Sequence, residues 1–517
     1  MKEFLNEVYY NFNEPTIAAK QRKAIESVQA QFGKEYPNII NGEKITTPNK
    51  TTSVNPSNTD QVIGVFQKSG KDDAEKAMQS ALTAFETWKK VPPAERAEYL
   101  FKAADVMRER RMEINAWMIS EVGKNYLEAD ADTCEAIDFL DFYGREMLRY
   151  AAPQAIIPDP SGEKNEMIYI PLGVGVVIPP WNFPFAILAG MTAAAFVAGN
   201  TVVLKPSSDS PMMGWLFMEI LEQVGLPKGV VNFLVASGAE AGDYLVTHPK
   251  TRFISFTGSM EVGLRINELA AKKSEGQIWI KRVVAEMGGK DSMVIDSDCN
   301  LDSAAQAVVA AAYGFQGQKC SACSRAIVVE SVYDDFVSKV KAIVDTIEIG
   351  NAADDTRMGP VVSKKAMTSI LEYIEVGKKE GRLITGGGAV QGMNGYYIQP
   401  TVIADIDPMA RISQEEIFGP VLTIIKARDF DHGLEIANNT IYGLTGAVFT
   451  NDKAKLQKTR EEFMVGNLYL NRKCTGALVG VNPFGGFNMS GTDSKAGGRD
   501  YLLLFVQAKS ISEKMLL

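Results

Sequence analysis

Residues 314–325 read GFQGQKCSACSR, two cysteines three apart with Lys319 directly before the first. A thiolate adds readily to a carbonyl carbon. A free cysteine has a pKa of about 8.5, however, and needs positive charge, backbone N–H groups or a base to react near neutral pH. The spacing alone suits a nucleophile (Cys320) beside a bystander (Cys323), a redox pair, or half of a zinc site. No second C-x-x-C is present to complete a zinc site. The chain has five cysteines and only two histidines, His248 and His432. A histidine-rich metal centre cannot be built from two imidazoles, and no metal is expected. Both histidines lie in polar stretches, THPKTR and DFDHGLE, that read as surface turns. Whatever activates the nucleophile is expected not to be imidazole.

Four further places could carry chemistry. In VAEMGGK, Glu286 follows an apolar strand directly, where burial is costly for a carboxylate and raises its pKa toward that of a general base. The competing reading is an end-of-strand charge paired with Lys290. In PPWNFPF, Asn182 sits between aromatic residues in an apolar run, and an inward amide donor is what an oxyanion hole requires. Satisfying a local turn would also account for it. RFISFTGS ends a strand at a Gly-Ser turn and opens a helix, whose N-terminus can hold a pyrophosphate. NTVVLKP delivers Lys205 to the end of another strand, where open α/β sheets bind ligands. No strand-linked G-x-G-x-x-G opens a helix; the glycine run GGFNMSG near the C-terminus has neither that spacing nor the strand and helix that would give it meaning.

The elements that must position these residues are legible in outline. Residues 1–36 read as an amphipathic helical extension. Helical periodicity dominates from Asp72 to Arg149. Short β-branched runs (GVGVVIP, NTVVLKP, VNFLVA, RFISFTGS, RVVAEMGGK) then alternate with helices, which implies a parallel, doubly wound sheet. SRAIVVE, YIQPTVIAD, VLTIIKA, GLTGAVFT and GNLYLN form a second α/β set. The tail YLLLFVQAKSISEK reads as a strand that needs another surface.

Composition is that of a soluble globular protein: 517 residues, 46 % apolar, 23 % charged, net charge −9. There is no global basic field for nucleic acid. The most apolar stretch, 173–199, is broken by prolines and reads as protein interior rather than a membrane span. An odd cysteine count without a secretory leader points to a reducing, cytoplasmic setting.

Taken in order, PWNFP, LKP, FTGS with Gly263, EMGGK, GQKC, EEIFGPV and PFGG, spread over residues 180–486, resemble the aldehyde dehydrogenase superfamily. The resemblance implies an α/β fold with a Rossmann-like cofactor domain (37–149 and 172–285), an α/β catalytic domain (286–487) and a small β oligomerisation arm. The arm would combine a hairpin near 150–171 with 488–517, giving at least a homodimer. Cys320 becomes the nucleophile, Asn182 and the Cys320 N–H the oxyanion donors, and Glu286 the base that activates water against the thioester. The cofactor would be NAD, held by Pro180, Trp181, Lys205, Ser208, Gly258, Ser259, Gly263, Glu416 and Phe418. NAD-selective relatives read Lys-Pro-x-Glu where this chain has Lys205-Pro206-Ser207-Ser208. The neutral Ser208 neither grips ribose hydroxyls strongly nor repels a 2′-phosphate, so NADP should be tolerated.

NRKCTGALVGVNPFGG (471–486) is similar to the loop of the glutamate-γ-semialdehyde dehydrogenase branch. That branch acts on an amino acid with an aldehyde at its far end, L-glutamate γ-semialdehyde. Its α-carboxylate would meet the turn at Gly476 and Ala477, aided by Ser321. Phe183 and Phe484 would line the stem, with Glu135 and Lys319 also near the substrate. The alternatives are another carboxylated aldehyde such as succinate semialdehyde, a non-catalytic protein on the same fold, or a thiol-redox protein using Cys320 and Cys323.

Overall fold

A computed structural model describes residues 3–160 and 162–514. Two seven-stranded sheets organise the chain. The first runs, in spatial order, Arg282–Glu286, Thr251–Thr257, Val174–Ile178, Thr201–Leu204, Val231–Phe233, Asn38–Ile40 and Glu43–Ile45. Its first five strands are parallel and the last two antiparallel. The parallel strands are short β-branched runs buried on both faces because helices cover both sides. The second sheet runs Arg382–Thr385, Thr401–Ala404, Val421–Ala427, Arg325–Val329, Ser292–Ile295, Thr445–Phe449 and Asn467–Leu470. It is parallel except for its first strand.

Register explains how distant motifs meet. In the first sheet Phe256 pairs with Ile178, and Thr257 pairs with Glu286. Three neighbouring strands therefore end together, and the PPWNF loop, the Gly-Ser turn and Glu286 emerge along one edge. Cys320 comes from the other sheet, on the loop that enters the strand Arg325–Val329.

The long helix Tyr126–Ala151 packs against the helices Pro93–Glu109 and Ala186–Val197. It begins at Asn125, whose side chain accepts from the Glu128 N–H at 3.0 Å, a side-chain N-cap. The N-terminal extension differs from the helical expectation: its helix is Pro15–Gln29 only. Residues before it are extended and cross the long helix. Asp138 accepts from Asn6 Nδ2 (2.9 Å) and the Glu7 N–H (2.8 Å), and Asp130 accepts from the Tyr10 N–H (2.8 Å). These bonds satisfy backbone that local sequence leaves unpaired, so the segment follows the helix surface.

The expected hairpin near 150–171 is not formed. That stretch supplies one strand, Lys164–Pro171, and its antiparallel partner is the tail strand Val506–Glu513. The tail therefore does pair, but with a segment more than 300 residues earlier. A three-stranded sheet from Glu35–Tyr36, Lys50–Asn55 and Asn58–Gln67 was not anticipated either. No helix among the described residues is long and apolar enough to cross a membrane.

Candidate active site

Cys320 opens into a cavity of about 250 Å³. Glu286, Glu135, Phe183, Lys319, Ser321, Gly476, Ala477 and Phe484 share its walls, so every expected substrate residue meets there with the nucleophile and the base. Burial first, then Asp291, Glu416 and Glu286, push the Cys320 thiol well above its usual range. Without a compensating positive charge the thiol is held protonated.

Asn182 is only 4 % exposed, and its Nδ2 donates to the carbonyl of Gln318 at 3.1 Å. The amide is thereby tied to the backbone two residues before Cys320. Gln318 is itself fixed, its side-chain oxygen accepting from the Val362 N–H at 2.9 Å. Upstream, Phe315 and Gln316 have positive φ (48° and 58°), a conformation bulky residues avoid and surrounding structure must enforce. Gln316 Nε2 does so by donating to Gly123 O (3.0 Å) and Pro360 O (2.7 Å).

Glu286 is not paired with Lys290. Its Oε1 accepts from the Ser494 hydroxyl, and Oε2 has no hydrogen-bond partner among the described residues. Burial pushes its carboxyl up to about 8 against the opposing pull of Ser494 and Lys495. A carboxyl raised this far could act as a base toward water at neutral to mildly alkaline pH. Lys290 is itself buried without a hydrogen-bond partner among the described residues.

The substrate end of the cavity is charged. Lys319 pairs with Glu128 at 2.6 Å. Burial alone would raise the Glu128 carboxyl, but Lys319 and Lys124 outweigh it and hold it below the usual range. Burial and then Asp132 push Glu135 up to about 8. Gly476 adopts φ 83°, and Arg472 engages the Thr475 and Gly476 carbonyls at 2.8 and 3.2 Å. Cys474 Sγ contacts Ser321 O at 3.5 Å, joining this loop to the nucleophile's loop. Cys323 is buried in the core with Cys474, which fits packing rather than an accessible redox partner for Cys320.

Most of the expected cofactor residues fall along the strand-end edge of the first sheet, whereas Glu416 and Phe418 lie on the loop that enters the strand Val421–Ala427 of the second. Lys205 follows the strand Thr201–Leu204, is buried, and is brought down to about 8 by desolvation with no carboxylate beside it. A buried cation lacking an acid partner at a strand's C-terminal end fits a ribose hydroxyl. Ser208 is exposed. Ser259 caps the helix Met260–Ala271, accepting from the Val262 N–H at 3.4 Å, and Gly258 precedes it. Glu416 accepts from the Gly289 N–H at 3.0 Å, and burial brings it up to about 7. Phe418, at φ 58°, meets Trp181 edge-on at 5.4 Å, beside Pro180. These groups fit a nicotinamide dinucleotide. Gly263 serves packing: a Cβ there would come within 2.4 Å of Met287 Sδ, so glycine lets the helix approach the EMGGK turn.

His248 is buried, contrary to the surface expectation. Its Nδ1 accepts from the Lys250 N–H at 3.1 Å and its Nε2 faces Glu75 at 3.2 Å. It is not among the cavity walls. Several wall residues carried no sequence signal: Tyr9 from the N-terminal extension, Glu128, and Lys473. The Gly238–Gly242 turn, whose Gly242 Cβ position lies 3.7 Å from Lys205, was missed too, although SGAEAG is a visible small-residue stretch.

The fold and this constellation are those of an oxidoreductase that acts on an aldehyde. The aldehyde dehydrogenase family model matches residues 44–511, and the chain belongs to that family. It is 58 % identical over 506 residues to the 1-pyrroline-5-carboxylate dehydrogenase of Geobacillus thermodenitrificans, covering 97 % of this chain and 98 % of the relative. A solved 1-pyrroline-5-carboxylate dehydrogenase from Thermus with bound NAD superposes with TM-score 0.98 at 48 % identity, all of both chains being covered. The betaine aldehyde dehydrogenase of Staphylococcus aureus in complex with NAD+ superposes with TM-score 0.89 at 30 % identity, covering 96 % and 97 %.

Proposed function

We propose that this chain oxidises L-glutamate γ-semialdehyde, the open form of Δ1-pyrroline-5-carboxylate, to L-glutamate, with NAD as main cofactor and NADP tolerated. The reaction would complete proline or arginine catabolism. The observation that carries the reading is the single cavity that joins Cys320 and Glu286 to the carboxylate-binding turn at Gly476 and Ala477. The full-length similarity to 1-pyrroline-5-carboxylate dehydrogenases supports it.

In this reading the substrate's α-carboxylate lies on the N–H groups of Gly476 and Ala477 with the Ser321 hydroxyl, and its stem packs between Phe183 and Phe484. The Cys320 thiol first gives its proton to water in the cavity, and the thiolate sulfur adds to the aldehyde carbon. The oxyanion that forms accepts from the Asn182 amide and the Cys320 N–H. The nicotinamide cofactor, when bound, supplies the hydride acceptor. A thioester on Cys320 results. Glu286 takes a proton from water as its oxygen adds to the thioester carbon, and glutamate leaves with Cys320 restored as thiolate. Glu135 and Lys319 bracket the amino-acid head.

Residues 37–149 and 172–285 serve as the cofactor domain, 286–487 as the catalytic domain, and the ribbon of Lys164–Pro171 with Val506–Glu513 as an arm that joins at least two copies. The test is NADH formation from L-glutamate γ-semialdehyde against succinate semialdehyde. Preference for the first is expected; equal rates on both would overturn the substrate assignment.

A further inference from the structure

A buried ion pair lies behind the oxyanion loop. Lys124 Nζ and Asp132 Oδ2 are 2.8 Å apart, and both side chains are fully buried. A buried pair of this kind is weak evidence for stability, because desolvation of both charges offsets most of their attraction. Its contacts suggest another reason for its presence. Lys124 Nζ lies 4.0 Å from the centroid of the Phe183 ring and 4.6 Å from that of Phe315. Phe183 is the neighbour of Asn182, and Phe315 is the first positive-φ residue of the bend leading to Cys320. Asp132 Oδ1 accepts from the Ala186 N–H at 2.6 Å. Ala186 opens the helix that follows the oxyanion loop, and Phe185 at its N-cap offers no side-chain cap. Asp132 therefore supplies from another helix the acceptor and the negative charge that a helix N-terminus favours. The backbone next to Lys124 joins in, since Gly123 O accepts from Gln316 Nε2 at 3.0 Å.

We infer that Lys124 and Asp132 are positioning residues for the oxyanion site: the pair holds the Asn182 loop from the first sheet and the Phe315–Cys320 loop from the second in fixed relation. Neither side chain touches substrate. The cation grips the two aromatic rings that flank the reacting groups, and the carboxylate anchors the helix behind Asn182. Displacement of a positioned group by about 1 Å costs on the order of a hundredfold in rate. The inference rests on the roles proposed above for Asn182 and Cys320.

The test is a double-mutant cycle of Lys124→Met with Asn182→Ala, read by single-turnover NADH formation and by hydrolysis of p-nitrophenyl acetate. The ester assay uses Cys320 and the oxyanion donors without aldehyde or NAD, so it reports on positioning even if the proposed substrate is wrong. Inactivity of the wild-type chain toward L-glutamate γ-semialdehyde alone would count against the substrate reading only. Lys124→Met is expected to slow both reactions about a hundredfold, yet by less than about threefold in the Asn182→Ala background, because coupled residues are not additive. Lys124→Arg should recover part of the rate. Losses that multiply independently would overturn the inference, as would wild-type ester hydrolysis in folded Lys124→Met. Should Lys124→Met not fold, Asp132→Asn gives the same cycle while keeping an acceptor for Ala186. Lys455→Met, which breaks the partly buried Asp296 pair (2.6 Å), is the control expected to lower thermal stability without slowing ester hydrolysis.

Discussion

The Asn182 amide donates to the Gln318 carbonyl at 3.1 Å, and this bond ties the Asn182 loop of the first sheet to the Cys320 loop of the second. Asn182→Ala removes both the tie and the donor. Turnover should fall by about 10²–10³-fold, the usual effect of losing one oxyanion donor. Alkylation of Cys320 by iodoacetamide should persist. Steady-state NADH formation and mass spectrometry of the alkylated protein check the two halves.

Glu286 rests against Ser494 with its carboxyl pushed up to about 8. Only the carboxylate can take a proton from water, so the thioester-hydrolysis rate should rise with pH through about 8 and level off above it. The Ser494 bond favours the charged form, so Ser494→Ala raises the pKa further and moves the rising limb to higher pH. Glu286→Gln should retain a burst of NADH and lose turnover. Comparing burst and steady-state rates across pH separates this group from Cys320, whose thiol is also raised.

Gly476 sits at φ 83° in the proposed carboxylate turn. Gly476→Ala places a side chain in a backbone region costing roughly 1–2 kcal/mol, and the turn should reshape. KM for L-glutamate γ-semialdehyde is expected to rise about tenfold, the factor that 1.4 kcal/mol represents, with little change for propanal. An equal loss on both aldehydes would mean the turn does not read the carboxylate.

Ile168 on the proposed arm is 38 % accessible, and Ile157 in the stretch leading into it 91 %. These apolar side chains would serve the proposed contact between copies. Ile157→Asp combined with Ile168→Asp should shift the sedimentation coefficient to that of a monomer while leaving the cavity residues in place. An unchanged coefficient would remove the arm from the oligomer reading.

Cys323 packs in the core beside Cys474, one helical turn of chain from the nucleophile but not in the cavity. Cys323→Ala should leave turnover unchanged, whereas Cys320→Ala should abolish oxidation with cofactor binding preserved. Loss of activity in Cys323→Ala at unchanged thermal stability would restore the redox-pair reading.

What could be read from sequence follows from how local each signal is. Glu286, Asn182 and Cys320 sit in short runs whose chemistry is unusual for their neighbours: an acid after an apolar strand, an amide between aromatics, a lysine before a thiol. The Rossmann-like alternation was legible for the same reason, as buried parallel strands are apolar runs in sequence. Tyr9, Glu128 and Lys473 were not legible because they reach the cavity only through tertiary packing. Ser494 bonds Glu286 across 208 residues, a separation no local pattern encodes. The expected hairpin near 150–171 does not form because the strand Lys164–Pro171 pairs with the tail, the segment the arm was expected to include. His248 looked like a turn residue, yet the Glu75 contact and the Lys250 N–H make its burial affordable.

The common ending of the strands Val174–Ile178, Thr251–Thr257 and Arg282–Glu286 has a mechanical consequence. The proposed oxyanion donor, dinucleotide turn and water-activating acid ride on one plate, and the Cys320 sulfur rides on the other. On the proposed roles, the gap between the plates, bridged by the Asn182–Gln318 bond, enters both carbon–sulfur bond formation and thioester cleavage. A substitution that alters only how the plates meet should therefore scale the two chemical steps by the same factor, leaving their ratio intact.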